Sequence, residues 1–81
     1  MIKRVLFIDS PSFGKLDMID AMEDDGFEVE LFYHENILLY PNNMAFDQAF
    51  DEMFILKEYS FVFSFNYFPA VSNGCYRNKV K

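Results

Sequence analysis

Val5-Leu6-Phe7-Ile8, followed by Asp9-Ser10-Pro11-Ser12-Phe13-Gly14, is the stretch on which the fold turns. Four apolar residues without alternation, stopped by a polar turn-forming segment, suit a strand buried on both faces of a sheet. Beyond it Leu16, Met18, Ile19, Ala21 and Met22 recur at helical spacing. Gly26 stands where a helix-terminating glycine belongs. The spacing predicts a helix over 15–25.

Phe27-Glu28-Val29-Glu30-Leu31-Phe32 then alternates apolar with acidic residues, the pattern of a strand with one face less buried than the other. Residues 33–43 form a connection, in which 37–40 has the composition of a short edge strand. Pro41-Asn42-Asn43 breaks the chain and signals a new helix. Phe46, Ala49, Phe50, Met53 and Leu56 share one helical face, with Asp47, Asp51, Glu52 and Lys57 elsewhere, which predicts an amphipathic helix over 44–58. A second wholly apolar strand is expected over 61–65, closed by Asn66-Tyr67-Phe68-Pro69. Residues 71–81 read as the start of a third helix, weakened by Gly74.

The order β-α-β-α-β-α implies a parallel sheet with right-handed crossovers, an α/β fold. Strands one and three are apolar on both faces and belong inside; strand two alternates and belongs nearer an edge. The expected arrangement is half of a Rossmann-like three-layer sandwich with strand order 2-1-3, the segment 37–40 adding a short edge strand outside strand two. An interior third strand needs a neighbour on its free side, because an open apolar edge is one that proteins normally avoid. The expectation is therefore a single truncated domain over 1–81, covered either by a second copy or by a longer protein of which it is a part.

Bulk composition agrees. The chain has 81 residues, 52% apolar, with eleven Phe and five Tyr, too rich in large apolar groups for a disordered segment. Seven basic residues stand against thirteen acidic ones, a net charge of −6, and no basic stripe is present. Nucleic-acid binding through phosphate contacts is not expected. Cys75 is the only cysteine, so neither an internal disulfide nor a CxxC pair can form. A reducing, cytoplasmic location fits. No run is long enough to span a membrane, and the N-terminus lacks the apolar length and cleavage site of a signal peptide.

Ligands in open α/β sheets bind at the carboxyl ends of the strands. Two segments converge there: Ser10, Ser12, Phe13 and Gly14 after strand one, and Asn66 with Tyr67 after strand three. Gly14 permits close backbone approach, and the helix start behind it offers free N–H groups to an anion. Ser10 or Ser12 can bond a hydroxyl or a phosphate. The plainer alternative is that Ser12 caps the helix and Gly14 turns the chain. Neither GxGxxG nor GxxxxGK[ST] occurs, and no cofactor or metal is expected. An amide beside two aromatics at Asn66-Tyr67-Phe68 suits a sugar or another flat ligand, or simply a packing turn. Asp9 ends strand one where some α/β folds carry a phosphoryl-accepting aspartate. The haloacid-type phosphatase pattern would place a second Asp at the position of Pro11, and a receiver domain would place one at Asn66. A carboxylate accepting loop N–H bonds is the expected role of Asp9. His34 has no identifiable partner and reads as polar surface, and Cys75 as a small core residue.

The opening strand, Ser12-Phe13-Gly14, Asp17-Met18-Ile19 and Gly26-Phe27-Glu28-Val29, together with the run from Tyr59 to Pro69, carry a resemblance. They resemble the N-terminal domain of bacterial GT-B-type glycosyltransferases of the spore-maturation-protein (CgeB-like) kind. The similarity spans nearly the whole chain, and Phe63-Ser64-Phe65-Asn66-Tyr67-Phe68-Pro69 is its most specific part. In that family two Rossmann-like domains face each other across a cleft, the C-terminal one holding the nucleotide-sugar donor. The resemblance implies that Ser12, Phe13, Gly14, Asn66 and Tyr67 line the acceptor side, and that the partner is a saccharide or a glycosylated acceptor. Members continue after the third helix into further strands and the donor domain, whereas this sequence stops at Lys81. No transferase activity is expected from the chain alone. Two other readings stand beside it: a non-catalytic module that self-associates through the edge of strand three, and a small flavodoxin-like domain that holds a phosphate in the Ser10–Gly14 loop.

Overall fold

The computed structural model describes residues 3–10, 13–38 and 43–80. In chain order the elements are β1 (Arg4–Ile8), α1 (Lys15–Asp24), β2 (Glu28–Phe32), α2 (Met44–Leu56), β3 (Phe61–Phe63) and α3 (Pro69–Asn78). The strands form a parallel sheet in the order β2-β1-β3. Val5 stands opposite Val29 and Phe61, Leu6 opposite Glu30 and Val62, and Phe7 opposite Leu31 and Phe63. The α/β class and the 2-1-3 order are those expected from the strand compositions.

Alternate residues of a strand point to opposite faces, and β1 divides two cores in this way. Leu6 and Ile8 join Phe32, Ile37, Phe46, Phe50, Phe68, Ala70 and Val71, the face covered by α2 and α3. Val5 and Phe7 join Met22, with Met18, Ile19, Phe61 and Phe63 packed around them, the face covered by α1. Val5 through Ile8 are completely buried, as a central parallel strand covered on both faces must be.

The helix ends follow local chemistry. Gly26, at φ 91°, terminates α1: its N–H donates to Glu23 O at 2.9 Å and Phe27 N–H to Met22 O at 3.0 Å. This is a Schellman closure, and Phe27 and Met22 sit in the same core cluster, the apolar contact that accompanies it. α3 ends in the same pattern, with Lys79 N–H to Tyr76 O and Val80 N–H to Cys75 O, but Lys79 takes the glycine-favouring position at φ 55°. Asn43 caps α2, its Oδ1 accepting from Phe46 N–H at 3.1 Å.

Several expectations need correction. Ile37 and Leu38 lie in a turn rather than an edge strand; Leu39 and Tyr40 fall outside the described residues. Ile37 is drawn into the core beneath the turn and is buried there. β3 ends at Phe63, not Phe65, because Ser64 Oγ donates to Asn66 O at 2.6 Å and bends the chain out of the ladder. α2 stops at Leu56, since Lys57 is extended (φ −145°, ψ 160°) and reaches Glu30. α3 starts at Pro69, a residue suited to the first helical turn, where no N–H is needed. Leu16 and Leu56, expected on apolar helix faces, are exposed, while Phe54 packs against the core instead. The alternation of β2 does not separate a wet from a dry face: Glu30 is half-buried and Leu31 half-exposed. Glu30 is sheltered because Lys57 ion-pairs with one carboxylate oxygen and Tyr59 Oη donates to the other at 2.5 Å. Among the described residues no helix is long and apolar enough to cross a membrane.

Candidate functional site

The carboxyl ends of β1 and β3 lie side by side because the two strands are neighbours in register. The chain leaves β1 at Ile8 and turns at once: Asp9 N–H donates to Phe32 O at 2.8 Å, and Ser10 N–H to Ile8 O at 3.1 Å. This folds Ser10 inward, to 5% exposure. On the neighbouring strand the Ser64–Asn66 turn lifts Asn66 over the same edge. Asn66 Nδ2 then donates to Ser10 Oγ at 3.5 Å, a long bond that joins two residues 56 apart in sequence.

The remaining candidates surround this pair unevenly. Phe13 is fully exposed, and Gly14, at φ 77°, opens α1 without a side-chain cap. Met18 N–H donates to Gly14 O at 3.0 Å, so Gly14 turns the chain into the helix. Phe13 and Gly14 line an open depression of about 330 Å3 together with Lys15, Leu16 and Asp17. Asn66 and Tyr67 line a second of about 330 Å3, with Phe65 on one side and Val71 and Ser72 of α3 on the other. Tyr67 is exposed and presents its ring to solvent. Thus Ser10 and Asn66 meet, whereas Phe13 with Gly14 and Asn66 with Tyr67 belong to separate depressions. Ser12 lies outside the described residues, and with it the capping role considered for it.

One feature of the edge was not expected. Lys15 Nζ donates to Asp9 Oδ1 at 2.6 Å, so the Asp9 carboxylate holds an ammonium group. The pair sets a carboxylate beside the start of α1 and offsets the positive charge that an anion would use. Its sequence signal was an acidic and a basic residue flanking a turn, which is too common to single out. The contribution of Val71 and Ser72 was also missed; Pro69 as a first-turn residue was the available clue.

Other reactive side chains are engaged elsewhere. His34 Nδ1 accepts from Asn36 N–H at 3.1 Å, and its ring meets Phe46 edge-on at 5.8 Å. Burial pushes the Cys75 thiol up, away from the thiolate form that a nucleophile requires. Among the described residues no group of three His, Cys, Asp or Glu side chains is placed to hold a metal ion. The arrangement at the sheet edge is therefore the Asp9–Lys15 ion pair beside the neutral Ser10 and Asn66 and the exposed rings of Phe13 and Tyr67. Compared with known proteins, the chain matches no family model, no curated protein and no solved structure.

Proposed function

We propose that the chain is the acceptor-side, N-terminal part of a GT-B-like glycosyltransferase, and that the edge formed by Ser10, Asn66 and Tyr67 binds a saccharide. The observation that carries the reading is the meeting of Ser10 and Asn66 across the ends of β1 and β3. The exposed Asn66 amide, tied to the buried Ser10 hydroxyl, offers both a donor and an acceptor, which matches the hydroxyl groups of a sugar. Tyr67 and Phe65 flank them with ring faces against which the C–H side of a pyranose can lie. Phe13 adds an exposed ring beside Gly14.

In such an enzyme this surface orients the acceptor hydroxyl towards a nucleotide sugar held by a second domain. Stabilising the leaving diphosphate falls to that second domain. The chain by itself has the role of binding, not transfer. The phosphate-loop reading is less favoured, because the Asp9–Lys15 pair sets a carboxylate where an anion would bind.

The test is a two-dimensional amide NMR titration of the 81-residue chain with a panel of mono- and disaccharides, and separately with inorganic phosphate. Sugar-dependent shifts at Ser10, Asn66 and Tyr67, lost in Asn66→Ala and Tyr67→Ala, are expected. Sugars that leave all these amides unmoved would sink the proposal. Phosphate shifts at Gly14 and Lys15 without any sugar response would replace it with an anion site.

A further inference from the structure

β3 borders β1 on one side, and among the described residues no strand borders it on the other. Ser60 N–H donates to Arg4 O at 2.7 Å, towards β1. Backbone groups alternate in direction along a strand, so Phe61 and Phe63 direct their N–H and C=O groups to the open side. Proteins usually blunt such an edge with charge, proline or a bulge. Here residues 59–76 contain no charged side chain, although the chain as a whole carries −6. Two copies of an acidic chain approach with least repulsion along this stretch.

The edge is also self-complementary. Ser60-Phe61-Val62-Phe63-Ser64 reads the same in both directions about Val62. A two-fold contact must match a surface to itself. We propose that a second copy of this chain pairs antiparallel with β3 about a two-fold axis at Val62, giving a continuous sheet in the order β2-β1-β3-β3-β1-β2. In that register Phe61 of one copy stands opposite Phe63 of the other. Both residues have outward N–H and C=O groups, so each pair closes two hydrogen bonds. Val62 meets Val62 between them on the α2–α3 face.

The side chains add to the backbone pairing. Phe61 and Phe63 lie on the α1 face, half-buried. They already form an aromatic row, with Phe63 stacked on Phe7 at 5.2 Å, Phe65 edge-on to Phe63 at 5.2 Å and Phe61 edge-on to Phe27 at 5.4 Å. The two-fold joins this row to its own copy through cross-strand aromatic pairs. The saccharide edge is a different surface, since the pairing uses the side of β3 and not its carboxyl end, but a further strand of a longer glycosyltransferase chain would compete with the second copy for that side.

Sedimentation equilibrium over a concentration series, with amide hydrogen exchange at low and high concentration, tests it. The expected mass rises from the 9.6 kDa of one chain to twice that value. The Phe61 and Phe63 amides gain protection as the mass doubles, whereas the Ser60 amide, already bonded to β1, does not change with it. Phe61→Lys should hold the mass at one chain with an unchanged far-ultraviolet circular dichroism spectrum. A folded monomer at every concentration overturns the proposal. So does a dimer in which the Phe61 and Phe63 amides exchange freely, or an open series of larger assemblies. The exchange measurement uses the wild-type chain, so the outcome stands even if Phe61→Lys does not fold.

Discussion

Gly74 sits in α3 directly against the Phe50 ring of α2. A Cβ at this position would stand 2.5 Å from two ring carbons, closer than any real contact allows. Phe50 has nowhere to go: it is fully buried, with the Phe32, Phe46 and Phe54 rings at 5.5, 5.7 and 5.2 Å. Two effects oppose each other in Gly74→Ala. Removing a glycine from a helix gains about 1 kcal/mol. Overpacking a closed core costs about 1–3 kcal/mol. The second wins because the obstructing atoms belong to a rigid ring and not to the end of a flexible chain. The expected outcome is a lower urea midpoint, by the equivalent of about 1–2 kcal/mol. An unchanged or higher midpoint would show that α2 and α3 can separate without cost. Read along the chain, Gly74 looks only like a weak point in a helix. Its reason lies 24 residues away, where local propensity cannot see it.

Between elements, two charged clusters fasten the sheet's covering. Arg77 on α3 reaches Asp51 at 2.9 Å and Asp47 at 3.3 Å on α2, and Asn78 Nδ2 donates to Asp51 Oδ1 at 2.8 Å. At the other end of α2, Lys57 and Tyr59 close over Glu30 of β2. Burial pushes the Asp51 carboxyl up, but the Arg77 and Asn78 hydrogen bonds and the Arg77 charge outweigh it and hold it below its ordinary value. The Lys57 and Tyr59 hydrogen bonds hold Glu30 below the usual carboxylate range against its partial burial. The same Glu30 charge, with burial as the larger cause, pushes the Tyr59 hydroxyl upward, so it remains a donor. A carboxyl depressed on folding stabilises above its unfolded pKa, and that stability is lost as pH falls through the folded value. Denaturant midpoints should therefore decline from about pH 5 downward, past the ordinary carboxyl range near 4. Glu30→Gln should be destabilised by about 1 kcal/mol at neutral pH and show a shallower acid decline. An acid profile identical to wild type in both Glu30→Gln and Asp51→Asn would remove these clusters from the account. The order of elements was legible from runs such as Val5 to Ile8 and from Gly26. The inward turn of Glu30 was not, because alternation of charge and apolar residues says which faces differ but not what will cover them.

Across the whole molecule the two faces of the sheet are unequally filled. Among the described residues the α2–α3 face carries nine buried residues in one cluster, and the α1 face three, Val5, Phe7 and Met22, with half-buried neighbours. The reason is the path of the chain: α1 returns to β2 and packs mainly on the β1–β2 side, so among the described residues the Phe61, Phe63 and Phe65 row beside β3 is only partly covered. Leu16 on α1 accordingly faces solvent, although its spacing marks it as a core residue. Local opening is governed by how much apolar surface each element buries. α1 should therefore open before α2. In native-state hydrogen exchange at low protein concentration, amides of Met18 and Met22 should exchange through small openings that are nearly independent of denaturant. Those of Phe50 and Met53 should exchange only through an opening whose denaturant dependence approaches that of global unfolding. Equal exchange free energies in the two helices would mean that the molecule unfolds as one unit and that the thin face is as secure as the thick one. The reverse order would mean that Phe7 and its ring neighbours, not the larger cluster around Phe50, hold the fold together.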